Sequence, residues 1–185
     1  MKICIIGAGA MGGLYGARLV MAGEEVYFVD NRQSVVDNIN QQGVHLTGVD
    51  GEHWIPAKAS TMASDFFPAD IAFIHTDTNN SSAAAVQANA VLDKRNGWCI
   101  TFQNGIGNVE KLQDELGIGR VAGGISYHSA ASPEPGHSFH TNAGKTWIGE
   151  LDKKPSARVT RLNQTLSNAG FDVQIAEDIN AIIWS

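Results

Sequence analysis

The 185-residue chain is long enough for one substantial core, or for one domain and the beginning of another. Hydrophobic residues make up 43% and charged residues 17%, a composition that excludes intrinsic disorder. The net charge of −6 offers no basic field to nucleic acid or an anionic membrane surface, and no apolar run approaches the roughly 20 residues of a membrane span.

Ile3, Ile5 and Ile6 form an apolar strand that runs into Gly7-Ala8-Gly9-Ala10-Met11-Gly12. A strand, a G-x-G-x-x-G turn and a helix start together make a site for a nucleotide pyrophosphate. The first glycine allows the sharp turn, the second lets the backbone approach the phosphates, and the third lets the helix pack closely on the sheet. The helix then offers unpaired N–H groups and the positive end of its dipole to the anion. Leu14, Arg18 and Leu19 continue that helix to a capping Gly23. Val26–Val29 is a second apolar strand ending at Asp30, eighteen residues after Gly12, where an acidic group accepts hydrogen bonds from the adenosine ribose. Asp30 favours the free diol of NAD. Arg32, two residues on, is suited to clamp the 2′-phosphate of NADP. The balance tips slightly to NAD, with NADP kept open.

Ser34–Gln42 reads as a short helix ended by Gly43, with Val35, Val36 and Ile39 on its apolar side. Val44–Thr47 and His53–Ile55 read as strands joined across Asp50-Gly51, a tight-turn dipeptide. Residues 64–68 are a connector. Ile71–Ile74 and Trp98–Phe102 are continuous apolar runs, as in parallel strands buried on both faces, and they flank an alanine-rich helix over 82–92. A helix follows over 107–116 with Val109, Leu112 and Leu116 inward, then a strand over 120–125. Ser138–Thr141 and Thr146–Gly149 read as a hairpin. Pro155 opens a helix that Gly170 closes, Phe171–Ile175 is a strand, and Asp178 caps a last helix striped by Ile179, Ile182 and Ile183. Strands alternating with helices predict an α/β fold of the Rossmann type: doubly wound, with a mainly parallel sheet covered by helices on both faces.

Ligands of such sheets lie beyond the C-terminal ends of the strands, so residues just after strands are the candidates. These are His75-Thr76-Asp77, Gln103-Asn104-Gly105 and Ser126-Tyr127-His128. The amides of Gln103 and Asn104 suit a nicotinamide carboxamide or a substrate oxygen; Asn104-Gly105 equally suits a plain turn. His75 is a candidate proton carrier or a structural residue. His137 and His140 are three apart on a predicted strand and point to opposite faces, so no metal site is expected from them with His128. Cys4 and Cys99 read as reduced core thiols. The first apolar run reads as a strand and not as a leader, so a cytoplasmic protein is expected.

Several segments together resemble the ketopantoate reductase (2-dehydropantoate 2-reductase) family: KICIIGAGAMGGLYGARL, TFQNGIGNVEKL, GGISYHSA followed by PGHSFH, TWIGE and the closing AIIWS. The resemblance spans nearly the whole chain and implies a nicotinamide-dependent reductase that turns a 2-oxo acid into a 2-hydroxy acid. The defining reaction is ketopantoate to pantoate, in pantothenate biosynthesis. By resemblance, Gly7–Gly12 form the phosphate loop, Asn104 lies beside nicotinamide and substrate as the catalytic residue within this chain, and Ser129-Ala130 pass the cofactor. Thr76, Gln103 and Gly105 join the expected cofactor contacts. Asp77 stands where relatives commonly carry a lysine, and Asp30-Asn31-Arg32 where they often carry a basic residue. The resemblance also implies a catalytic lysine two positions after Trp184, past Ser185, and a helical C-terminal domain. Residues 1–175 are thus expected to be the dinucleotide-binding domain, and 176–185 the start of a linking helix. The expected partner is a small 2-oxo acid. A homodimer, through an apolar surface around Ile179, Ile183 and Trp184, stays open. A reductase of another 2-oxo acid and a non-catalytic NAD(P)-sensing module are the alternative functions.

Overall fold

The computed structural model describes residues 1–103 and 107–183. Its main sheet has eight strands: β1 (Lys2–Ile6), β2 (Glu25–Val29), β5 (Lys58–Ser60), β6 (Ile71–Ile74), β7 (Trp98–Thr101), β8 (Val121–Ser126), β11 (Lys145–Glu150) and β12 (Asp172–Ile175). Their order is β12-β11-β8-β7-β6-β1-β2-β5. The run from β8 to β5 is parallel throughout; β11 joins β8 antiparallel, and β12 lies parallel to β11. This is the mainly parallel Rossmann-like α/β sheet that the alternation of elements predicts.

Strand alternation explains why both faces are apolar. Ile3, Ile5, Ile71 and Phe73 face α1 (Ala10–Met21) and α5 (Ala157–Asn168), with α2 (Gln33–Gln42) adding Val35, Val36 and Ile39. Cys4, Ile6, Ala72 and Ile74 face α3 (Ser81–Val91) and α4 (Asn108–Leu116). Burial pushes the Cys4 and Cys99 thiols up to about 12, so both stay protonated core residues. Val109 of α4 is only half-buried; Leu112 and Leu116 carry the contact.

A second sheet, in the order β4-β3-β10-β9, is made of β3 (Val44–Gly48), β4 (His53–Ile55), β9 (Ser129–Ala131) and β10 (His137–Asn142). It packs on the side of α1 that faces away from β1 and β2. Squeezed between two sheets, α1 needs small residues on opposite sides: a Cβ on Gly16 would meet the Phe28 ring at 2.2 Å, and one on Gly13 would meet Ser138 Cβ at 3.0 Å. Asp50-Gly51 does join β3 to an antiparallel β4, with the Gly51 N–H donating to Gly48 O at 3.0 Å.

One expectation fails. Residues 137–142 and 145–150 are not a hairpin: β10 pairs with β3 and β9, whereas β11 pairs with β8 and β12. The chain changes sheets at Ala143-Gly144, where a Cβ on Gly144 would strike Tyr127 O at 2.1 Å. In the final helix, α6 (Ile179–Ile183), Ile179 faces inward. That side chain is fully buried over Gly149 and Gly123, where a larger residue would displace it. Trp184 lies outside the described residues. Among the described residues, no helix is long and apolar enough to cross a membrane.

Candidate functional site

The glycine turn is shaped by the chain's own crowding on two sides and left open on a third. Gly7 leaves β1 at a φ of +96°, its N–H donating to Val29 O at 2.8 Å. A Cβ there would lie 2.8 Å from the His75 carbonyl carbon. On Gly12 a Cβ would lie 1.9 Å from Gly7 O, because the first turn of α1 folds back on the glycine turn. Gly9 differs: the nearest atom to its Cβ position is Arg32 Nη2 at 3.9 Å, so its bare backbone faces space. Gly9 is also the N-cap of α1, with no side-chain cap and no acidic residue in the first turn. The helix start therefore presents N–H groups and positive dipole outward, the arrangement that receives a phosphate.

That helix start opens on a cleft of about 540 Å³, lined by Gly7, Gly9, Ala10, Met11, Asp30, Arg32 and Thr76, with Thr61, Asp77, Asn80, Gln87 and Ser132 among the rest. A volume of this order is typical of small-molecule clefts, about 300–1,000 Å³. Ala8 and Gly12 stand behind its wall. The Ala8 N–H donates to Asp30 Oδ2 at 3.0 Å, so the carboxylate fixes the glycine turn. Asp30 is only 6% exposed and is shared with Arg32: the Arg32 backbone N–H and Nε donate to Oδ1 at 3.0 and 2.9 Å, and Nη2 donates to Oδ2 at 3.1 Å. Its hydrogen bond to Asp30 raises the Arg32 pKa, so the guanidinium stays charged and offsets the carboxylate. A 2′-phosphate would therefore meet a neutral pair here, and the electrostatic case against NADP weakens.

Gln103 is 7% exposed, and its carboxamide is turned into the protein. Nε2 donates to Thr76 O at 2.8 Å, with Thr76 Oγ1 at 3.1 Å and Asp77 O at 3.3 Å. Asn104 and Gly105 lie outside the described residues. Ala130 is half-buried in β9 and packs on the core; it is Ser132, two residues on, that reaches the cleft. The His75 ring lies flat on Phe102, centroids 5.0 Å apart, and its buried Nε2 has no hydrogen-bond partner among the described residues. Burial pushes its pKa down to about 3, so it stays a neutral aromatic packing group at ordinary pH.

One constellation escaped the sequence reading. Asp50, from the turn after β3, binds Arg18 of α1 through Oδ1 and His140 Nδ1 through Oδ2 at 2.6 Å. His140 Nε2 lies 3.1 Å from His128 Nδ1, extending the chain to the segment between β8 and β9. Burial opposes ionisation of Asp50, yet hydrogen bonds from Arg18 and His140 hold its carboxyl below the usual range. Burial, reinforced by the nearby His140, pushes His128 down to about 4. The group ties the second sheet to α1 and does not open on the cleft. His137, on the other face of β10, stacks on His45 at 4.2 Å. The alternation of Ser138 and His140 on one strand face was the available signal, since an inward polar pair demands partners.

With this geometry in view, comparison with known proteins is specific. Residues 3–153 match the family described as Ketopantoate reductase PanE/ApbA. The chain is 34% identical over 185 residues to a 2-dehydropantoate 2-reductase of Pyrococcus horikoshii, with all of this chain and 59% of that protein covered. A 2-dehydropantoate 2-reductase structure from Geobacter metallireducens superposes with a TM-score of 0.92 at 28% identity, covering 100% of this chain and 60% of that one. A D-mandelate dehydrogenase with NADH and anilino(oxo)acetate has a TM-score of 0.91 at 21% identity, covering 100% of this chain and 59% of that one, which shows a shared fold. The chain thus spans about three fifths of the length of these relatives. It belongs to the ketopantoate reductase PanE/ApbA family.

Proposed function

We propose that this chain is the nicotinamide-dinucleotide-binding part of a 2-oxo acid reductase whose substrate is ketopantoate. The observation that carries the reading is the open Gly9 face at the uncapped start of α1, with the Asp30–Arg32 pair across the same cleft. The residues fit the group: Gly9, Ala10 and Met11 would hold the pyrophosphate through backbone N–H groups, and Asp30 with Arg32 would receive the adenosine ribose. The bound nicotinamide would supply hydride to the 2-oxo carbon. Asn104 is assigned to the reacting end by family resemblance.

The Arg32 position makes cofactor choice a matter of one side chain. If Arg32 stays on Asp30, its exposed edge can receive a 2′-phosphate. Should it swing away, the freed carboxylate can accept from a ribose diol. NAD keeps the slight preference because Asp30 is the more firmly buried of the two. Titration with NADH and with NADPH, followed by nicotinamide fluorescence, tests the reading. Saturable binding of at least one is expected; none with either overturns it. Turnover by the complete protein on ketopantoate and on other 2-oxo acids tests the substrate, and a clear preference for another acid overturns that part.

A further inference from the structure

We infer that Gln103 is a positioning residue: its carboxamide holds the Thr76-Asp77 wall of the dinucleotide cleft in place and does not itself contact the dinucleotide. The inference rests on the functional reading above. Its basis is that both ends of the amide are already engaged. Nε2 faces Thr76 O at 2.8 Å, Thr76 Oγ1 at 3.1 Å and Asp77 O at 3.3 Å. Oε1 lies 3.3 Å from the hydroxyls of both Ser81 and Thr101. Those residues come from three places: the segment after β6, the start of α3 and the end of β7.

The backbone amide is held as well, the Gln103 N–H donating to Thr101 Oγ1 at 3.2 Å. Beneath it, Ser81 Oγ lies 2.8 Å from Thr78 O and 2.8 Å from Asn108 Oδ1 at the start of α4. Ser81, Thr101, Gln103 and Asn108 are all buried, so this is a polar cluster inside an otherwise apolar layer. A buried polar group left without a partner is costly, and the full set fixes one geometry. Thr76 and Asp77 line the cleft; Gln103 does not. A primary amide is the one side chain of this size that donates to two carbonyls while its oxygen accepts from a hydroxyl, here that of Thr101.

Three variants decide the matter, each titrated with NADH and NADPH alongside thermal unfolding. Gln103→Met keeps the volume and removes every hydrogen bond of the carboxamide; dinucleotide affinity should fall about tenfold. Gln103→Glu provides the finer test. Ionised at pH 8, its carboxylate has no proton for Thr76 O or Asp77 O; protonated near pH 5.5, it regains one donor. Its affinity should recover as the pH falls, while that of the unmodified protein stays within about twofold. The charged and titratable neighbours on the packed segments are Asp77 and His75, which the unmodified protein controls for. Ser81→Ala, from the other side of the cluster, should weaken binding and be non-additive with Gln103→Met.

Equal affinity of Gln103→Met and the unmodified protein overturns the positioning role alone. A loss in Gln103→Glu that does not recover at low pH overturns it too. So does full additivity with a harmless Ser81→Ala, which would make Gln103 a direct contact. Failure of the unmodified protein to bind either dinucleotide is a different result, and overturns the functional reading on which the inference rests.

Discussion

In the large sheet the central strands Ile71–Ile74 and Trp98–Thr101 are buried at every residue, with Thr101 the one polar side chain. The small sheet is centred on Val44–Gly48 and His137–Asn142, and its inward positions include Ser138 and His140. The first is covered by helices on both faces and gains its stability from apolar area. The second covers one face of α1 and is held there in part by the Arg18–Asp50–His140–His128 chain, with Ser138 Oγ donating to Ala10 O at 2.7 Å. The difference teaches that two layers around one helix can fail under different conditions. Heat or denaturant tests the apolar layer; acid tests the polar one.

The largest expected effect is on the apolar side. Phe73→Ala removes a fully buried ring and should cost about 3–5 kcal/mol in urea unfolding, nearly independent of pH. Asp50→Ala comes next. It leaves Arg18 and His140 without their shared acceptor and should cost about 2–3 kcal/mol at pH 7. If it costs less than Asn168→Ala on the exposed end of α5, the small sheet is not held as described. Arg32→Ala leaves the buried Asp30 carboxylate with backbone N–H donors only; it should cost about 1 kcal/mol and shift the NADPH-to-NADH affinity ratio about tenfold toward NADH, read by parallel titrations.

The smallest effects at pH 7 belong to two buried histidines, whose consequences appear in the acid limb. His75 and His128 have folded pKa values of about 3 and about 4, below the usual value of 6.5. Below pH 6.5 the unfolded chain takes up protons that the folded chain refuses. Stability therefore falls as the pH drops from 6.5 toward 4, and His75 extends the fall toward 3. His75→Phe keeps the stack on Phe102, removes the unpartnered Nε2 and should flatten this limb, with a gain below about 1 kcal/mol at pH 7. A limb of unchanged slope in that variant would put the acid sensitivity wholly in the second sheet.

What was legible in the sequence follows the range of the forces involved. The turn at Gly7–Gly12 and the apolar runs at Ile71–Ile74 and Trp98–Thr101 are local patterns, and each reads directly as an element. Lys58–Ser60 and Ser129–Ala131 are too short to show a period, so β5 and β9 went unread. Thr146–Gly149 next to Ser138–Thr141 has the spacing of a hairpin, but which sheet receives each strand is decided by β3 and β8, far away in the chain. The cleft residues Gly7, Gly9, Asp30, Arg32 and Thr76 were found as residues. The direction of the Gln103 amide was not, because all its partners except Thr101 lie 22 to 27 residues away. Asp50 was read only as a turn former; nothing local announces a bond to Arg18, 32 positions earlier.

The confinement of α1 between two sheets carries a consequence for linkage. Its tip at the glycine turn and its flanks belong to one rod, gripped below by Phe28 and above by Ser138. A dinucleotide seated on the tip would load that rod, so saturation should raise the melting of both layers in step, as a single cooperative transition. Were the layers to separate under saturating ligand, with only the lower one protected, the rod would be a hinge and not a strut.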